Sequence, residues 1–346
     1  MRPIAALLVL ALLQAPTALP PTRDQLFALF GSYLESLRVQ AGIPGLAAAV
    51  IDNDGIAWEQ AFGQQDIARL LPTRTDTPFH LDGLTQLFAA TLVLRCVEEG
   101  HLTLDTPIKS FSSSSPDANA TVGQILTHTS GDAADLTFAY RPDRLDVLTS
   151  VVGACTGRSF RVAVADMLDR LAMNESVPGP DATTDPALPA KVAQYTSIIN
   201  RLAVPYSVDA QGHASPSRYV ATTLAPSGGL VSTVLDFAKF DLAIRKGVLL
   251  GADTLAAAWR PPVARNGQPL PHGLGWFVQM YSGEPVIWQF GVGANASSSL
   301  VMTLPARGVT LVLLSNSDGL VKPATLGGGD VTVSPFARVF LQLLIK

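Results

Sequence analysis

The sequence predicts an α+β protein, and three observations predict it. Leu26, Phe30, Tyr33, Leu34 and Leu37 recur at helical spacing and lead straight into a hairpin. A central helix that is almost wholly apolar runs to about Glu99, which marks it as buried on all sides. The C-terminal third then changes to short apolar strands joined by turns. A helix packed on an antiparallel hairpin opens an α+β layer.

The elements follow in order. Thr22-x-x-Gln25 has the form of a capping box and starts the first helix, which ends at Ala41-Gly42-Ile43-Pro44-Gly45. Leu46 to Ile51 reads as a buried strand. Asp52-Asn53-Asp54-Gly55 is a hairpin turn, and Ile56 to Phe62 returns beside the first strand. Pro78 to Leu84 is an approach to the central helix, which Gly100 stops. Val122 to Leu126 is a short helix. Longer ones are expected from about Leu145 to Cys155 and from Val162 to Leu171. Residues 177–226 are rich in Pro, Ala, Thr and Asp, and read as irregular connections with a short strand or two. Gly228-Gly229 opens a helix that runs through Ile244, and Thr254 to Trp259 forms another. Strands are expected at Leu274–Tyr281, Val286–Phe290, Ser298–Thr303 and Thr310–Ser315, with Pro305-Ala306-Arg307-Gly308 turning the last pair. A helix from Pro335 to Ile345 closes the chain. No internal repeat or linker divides it.

Bulk properties narrow the function classes. The 346 residues are 48% hydrophobic and 15% charged, which describes a globular chain with a large core. The net charge of −4 offers no basic stripe for nucleic acid. Met1-Arg2-Pro3, an apolar run from Ile4 to Leu13 and small residues up to Ala18 have the form of a secretory signal peptide, with cleavage expected after Ala18. The run is too short to cross a bilayer, which takes about 20 residues. No cysteine follows it to carry a lipid. A secreted or periplasmic protein with no transmembrane segment is therefore expected. Export permits a disulfide, but Cys96 and Cys155 both fall in apolar helical stretches, and buried free thiols are the expected state. Two distant cysteines make no metal site, and the dispersed histidines His80, His101, His128, His213 and His272 make none either. No cofactor is expected.

Several stretches then point one way. They are Asp76-Thr77-Pro78-Phe79, the exit Val97-Glu98-Glu99-Gly100-His101-Leu102-Thr103-Leu104-Asp105, and Ile125-Leu126-Thr127-His128-Thr129-Ser130-Gly131. Gly228-Gly229-Leu230-x-Ser232-Thr233 and Gly273-Leu274-Gly275-Trp276 complete the set. In this order they resemble the serine β-lactamase and penicillin-binding-protein superfamily, in its class C-like, esterase-like branch. The resemblance implies an antiparallel sheet of five to seven strands flanked by helices, with a helical lobe inserted. The sheet lobe would take residues 22–75 and 265–346, the helical lobe residues 80–260, and the active site would lie between them.

Acyl transfer in that family needs a nucleophilic oxygen, a base to take its proton, and backbone donors for the oxyanion. The first motif of the family is a Ser-x-x-Lys at the start of the central helix. Here the serine position holds Gly83, which has no side chain. The lysine position holds Gln86, whose amide is no base. Loss of both members of such a unit costs on the order of a millionfold, or roughly 8 kcal/mol of barrier. Thr85 is the nearest hydroxyl, but two residues on is about 200° around a helix, so it should face away. The second motif, Tyr-x-Asn, reads Tyr140-Arg141-Pro142, and proline offers no amide. The third, a basic residue on the strand lining the cleft, falls on Phe290, or on Gln289 with a shift of one. No other nucleophile motif is present.

The sequence therefore implies a family scaffold with its catalytic motifs degenerate at Gly83, Gln86, Tyr140, Pro142 and Phe290. Asp82, Gln86, Tyr140 and Phe290 remain as a candidate binding cleft, and His80 could hydrogen-bond beside Asp82. The expected function is a non-catalytic one, through a cell-wall fragment, a small ligand or a protein partner. The alternative is an esterase, amidase or cell-wall peptidase working through Tyr140, Thr85 or other non-standard residues.

Overall fold

The structure, a computed structural model, describes residues 22–131 and 136–345. The expected signal peptide lies outside the described residues. Helix α1 (Arg23–Gln40) begins on the predicted capping box: the Thr22 hydroxyl accepts from the Gln25 amide at 3.3 Å, and the Gln25 side chain accepts from the Thr22 amide at 2.9 Å. Strands β1 (Gly45–Ile51) and β2 (Ile56–Asp66) form the hairpin, and β3 (Leu71–Pro72) pairs on its outer edge. β4 (Phe79–His80) and a 3-10 turn at Asp82–Leu84 lead into α2 (Thr85–Glu98). Gly100, at φ 74°, takes the left-handed conformation that ends this helix, where a side chain would be strained.

The middle of the chain is helical. It contains α3 (Val122–Leu126), α4 (Leu148–Thr156), α5 (Phe160–Arg170) and α6 (Val192–Ile199). The short strands β5 (Tyr206–Val208), β6 (Ala214–Pro216) and β7 (Val231–Ser232) follow. Then come α7 (Val234–Arg245) and α8 (Ala252–Ala258). The last part holds β8 (Phe277–Tyr281), β9 (Glu284–Gly293), β10 (Ser297–Leu304), β11 (Val309–Ser315) and α9 (Pro335–Leu344).

Seven strands make one antiparallel sheet in the order β3-β2-β1-β11-β10-β9-β8. The chain thus enters at one side of the sheet and completes it from the other. Every residue of β1 is buried, because helices cover both faces. Its alternation sends Ala47, Ala49 and Ile51 into the core shared with α2 and α7. Leu46, Ala48 and Val50 point the other way, into the core shared with α1 and α9. That is the period-two pattern of a strand between two layers. Helix α2 lies in the first core with Leu87, Phe88, Val93 and Leu94 at most 1% exposed. Each such side chain contributes about 1.5–3 kcal/mol relative to exposure.

Four expectations need correction. Cys96 and Cys155 are not free thiols: they form a disulfide, with Cα atoms 6.1 Å apart, that ties α2 to α4. Apolar sequence around each cysteine reflects the helix–helix contact that brings them together, so it could not separate a buried thiol from a bridge. The helix expected from Leu145 starts earlier, as a 3-10 segment over Pro142–Val147, because proline fits a first helical turn and lacks only a donor that would be unused there. The segment 177–226 carries α6, whose short buried face is only Tyr195 and Ile198. The helix expected from Gly228 begins only at Val234. Val231 and Ser232 instead pair with His80 and Phe79 beneath the start of α2.

Candidate functional site

The motif positions converge where the 3-10 turn at 82–84 meets β9. Leu81 is fixed by its amide, which donates to the Leu230 carbonyl at 2.8 Å, and by its carbonyl, which accepts from the Ser299 hydroxyl at 2.7 Å. Three glycines then let main chain pack on main chain. A Cβ at Gly83 would lie 2.4 Å from the Phe290 carbonyl oxygen and 3.1 Å from the Gly291 Cα. One at Gly291 would lie 2.5 Å from the Gly83 nitrogen and from the Leu81 carbonyl oxygen. One at Gly293 would lie 2.7 Å from the Ser297 Oγ and 2.9 Å from the Asp82 Oδ1. The space a side chain at position 83 would enter is filled by the backbone of β9. Glycine within a strand often marks such an approach, so Gly291-x-Gly293 was the signal available in the sequence.

Gln86 is fully buried, and its Nε2 donates to the Tyr140 hydroxyl at 2.8 Å, while its Oε1 has no hydrogen-bond partner. The Tyr140 ring rests on Phe290 with centroids 5.1 Å apart and on Phe277 at 5.3 Å. Burial pushes the Tyr140 phenol above its ordinary pKa, more than the Gln86 bond lowers it, so it stays protonated. Phe290, 5% exposed, occupies the place where the sequence reading puts the basic residue. Gln289, the alternative for that place, turns into the sheet and donates to the Gly275 carbonyl at 3.3 Å. Pro142 opens the 3-10 segment and points no amide anywhere.

Behind this aromatic wall lie two buried histidines in edge contact, with ring centroids 4.7 Å apart. His128 Nδ1 accepts from the Arg141 amide at 3.2 Å, which leaves the proton on Nε2. His272 Nδ1 lies 2.7 Å from the Gly273 carbonyl and so carries its proton there. Burial holds His272 down at about 4, and burial together with the His272 ring holds His128 well below its usual range. Both are neutral and serve as packing. His128 sits at φ 54°, the left-handed residue of the turn that follows α3.

Asp82 and His80 do not meet as hydrogen-bonded partners. His80 stacks on Tyr219 with centroids 4.0 Å apart, and neither of its ring nitrogens has a partner. Burial lowers it to about 4. Asp82 is 6% exposed and held at φ 47°, which is uncommon for a residue with a side chain. Burial pushes its carboxyl up to about 7, against a smaller downward pull from Ser297 and the Gly293 amide. No hydrogen bond of regular geometry joins Ser297 to it, and Oδ2 is unpartnered. Thr85 faces away from the cleft, as its helical offset implies, and its hydroxyl accepts from the Leu230 amide at 3.3 Å. Sequence reasoning missed Tyr219, which stacks on His80 and donates its hydroxyl to the Ala203 carbonyl, and Ser297, which lies beside Asp82; both come from elements far away in the chain.

Chemically, the assembly brings together a neutral amide, a neutral phenol and apolar rings. Among the described residues no group of three His, Cys, Asp or Glu side chains could hold a metal ion. No helix among them is long and apolar enough to cross a membrane.

Comparison with known proteins agrees with this architecture. Penicillin-binding protein 4 of Amycolatopsis lactamdurans is 26% identical over 367 residues, covering 90% of this chain and 87% of that one. The octameric penicillin-binding protein homologue from Pyrococcus abyssi superposes with a TM-score of 0.72 at 19% identity, over 91% of this chain and 77% of that one. A class C β-lactamase from Rhodobacter sphaeroides gives 0.67 at 16% identity, over 90% and 96%. The two superpositions show a shared β-lactamase/transpeptidase-like fold. The sequence profile of the Beta-lactamase family matches residues 28–328, and the chain belongs to that family.

Proposed function

We propose that this protein is an exported member of the Beta-lactamase family that performs no acyl transfer at the family's motif positions and acts by binding. The observation that carries the reading is the closure at Gly83. The residue has no oxygen to acylate, and the Phe290 carbonyl stands 2.4 Å from where its first side-chain atom would be. Gln86 and Phe290 agree with it, since each puts a neutral side chain in a buried place where the family motif has a basic one, and Pro142 offers no amide. Export is supported by the N-terminal pattern and by the disulfide, which persists in oxidising compartments. A cell-wall fragment, a small ligand or a protein is the binding partner in this reading, and a relative named for penicillin binding supports a small ligand. The test is a fluorophosphonate probe and activated esters applied to the purified mature protein. No labelling and no turnover are expected, and specific labelling of a residue in this cleft refutes the reading. A thermal shift with muropeptides tests the cell-wall ligand, and no shift at millimolar concentration rules it out.

One observation favours a second reading. Asp82 combines backbone strain with a buried carboxyl near 7, the kind of perturbation that clusters at working sites. A hydrolase working through Asp82 as general base would lose its turnover in Asp82→Asn. No turnover in the parent protein excludes it.

A further inference from the structure

A separate groove lies on the helical side of the molecule, between the C-terminal half of α2, the end of α4 and α5. Its volume is about 450 Å³, within the range of small-molecule sites. Its floor is apolar, made by Leu92, Ala163 and Cys96 of the disulfide, each 7% exposed or less. Charged side chains ring it. Arg95 pairs with Glu99 at 3.3 Å, Arg158 pairs with Asp166, and Asp169 is taken by Lys191 at 2.6 Å. Arg170 has neither a hydrogen bond nor an ion pair among the described residues. Three arginines face three carboxylates, and Lys191 neutralises one of those, so one positive charge is left over at the rim. Desolvation first, and then the Arg95 charge, lower the Arg170 pKa, against a smaller upward pull from the Asp166 and Glu99 charges, neither of which is paired with it.

We propose that this groove is a binding site for a monoanionic amphiphile, a carboxylate on a short apolar chain, with the carboxylate on Arg170 and the chain along Leu92, Ala163 and the disulfide. The planar guanidinium matches a carboxylate in two parallel hydrogen bonds. The surplus of one positive charge selects a single negative charge. The apolar floor rewards a hydrocarbon tail and gives nothing to a bare inorganic ion. The proposal is independent of what happens at Gly83, because the two sites share only helix α2, at its opposite ends.

The probe is octanoate, titrated into the full-length mature protein and followed by amide chemical shifts. Saturable shifts confined to residues 92–99 and 156–170 are expected. Octan-1-ol and inorganic phosphate, which each carry half of the chemistry, should bind at least tenfold more weakly, about the factor that one charge-assisted hydrogen bond supplies. Arg170→Gln should weaken octanoate about tenfold or more, while Arg338→Gln on α9 should leave it unchanged. Arg170 and Arg338 are both exposed, so both variants should keep the parent melting temperature. Equal octanoate affinity in the two variants, equal affinity for octanol or phosphate, shifts that map elsewhere, or no saturable binding at millimolar octanoate would each overturn the proposal.

Discussion

Gly83→Ala tests the packing account most directly. The added methyl would sit 2.4 Å from the Phe290 carbonyl oxygen and 3.1 Å from the Gly291 Cα. Both atoms are backbone of β9, so neither can swing aside as a side chain would. β9 must retreat by nearly 1 Å, and it is held on both edges, by β8 and by β10. Overpacking of this kind costs typically about 1–3 kcal/mol, and the rigid neighbour puts this case at the upper end. Alanine returns about 0.4–1 kcal/mol by restricting the unfolded chain. The net loss is then about 2 kcal/mol, or roughly 4 °C in melting temperature for a large domain. Gly83→Ser should lose at least as much. The double change Gly83→Ser with Gln86→Lys should lose more, since it also buries an amine beside Tyr140. None of the three should gain turnover of an activated ester. Thermal and urea melts of the variants make the measurement. A Gly83→Ser protein as stable as its parent and labelled by fluorophosphonate at position 83 would refute the reasoning, because the cleft would then be open.

Three further outcomes follow from the same geometry. Asp82→Asn should stabilise with rising pH. The folded carboxyl titrates near 7 and the unfolded one near 3.8, so the native state holds its proton more tightly and loses stability as pH rises through 7. The gain of Asp82→Asn should grow by about 1.4 kcal/mol per pH unit between pH 4 and 7 and level off near 4 kcal/mol, and parallel stability curves would exclude it. His80→Phe should be neutral or stabilising at pH 7, since neither ring nitrogen has a partner to lose. It should also flatten the acid limb. His80 is neutral in the fold down to about 4, whereas the unfolded chain takes up the proton below 6.5, so the parent loses up to about 3 kcal/mol across that window. Reducing the Cys96–Cys155 bridge, which closes a loop of 59 residues, should cost about 4 kcal/mol in the chain-entropy estimate. A urea midpoint indifferent to dithiothreitol would contradict that.

Most of the sheet was legible because its signals are local. β1 is a run of apolar residues ended by an Asp-Asn-Asp-Gly turn, and the capping box at Thr22 needs only four residues to be recognised. The order of the strands became legible only through the family motifs, since no local pattern says that β11 lies beside β1. The site divided the same way. That position 83 offers no hydroxyl and position 86 no amine can be read from residue types alone. That the β9 backbone lies against Gly83 cannot, because it depends on a contact between residues 83 and 290. The disulfide failed for a related reason: Cys96 and Cys155 each look like helix-core residues, and only the packing of α2 on α4 brings their sulfurs together. α6 was hidden by its length, with too few buried positions to show a period.

The residues at positions 83, 86 and 290 are physically coupled. Once the Gly83 backbone lies against β9, position 86 is fully buried beside a neutral phenol. A lysine there would bury a full charge, at a cost of several kcal/mol unless paired, whereas glutamine is neutral and makes one hydrogen bond, to Tyr140. A basic residue at 290 would face the same penalty, while phenylalanine joins the rings of Tyr140 and Phe277. Closure thus accounts for Gln86 and Phe290 together. It does not account for Asp82. A closed, neutral interior would favour glycine at a residue with φ 47°, and would favour any neutral side chain over a carboxyl with an unpartnered oxygen. Asp82 is costly on both counts, the pull of Ser297 and the Gly293 amide offsets only part of it, and a residue that breaks local rules in this way is where function is to be sought. If Asp82→Gly raises stability across the whole pH range and abolishes whatever binding the muropeptide or ester assays detect, the strain at this turn belongs to the binding function. If it raises stability and leaves binding intact, Asp82 has no part in it.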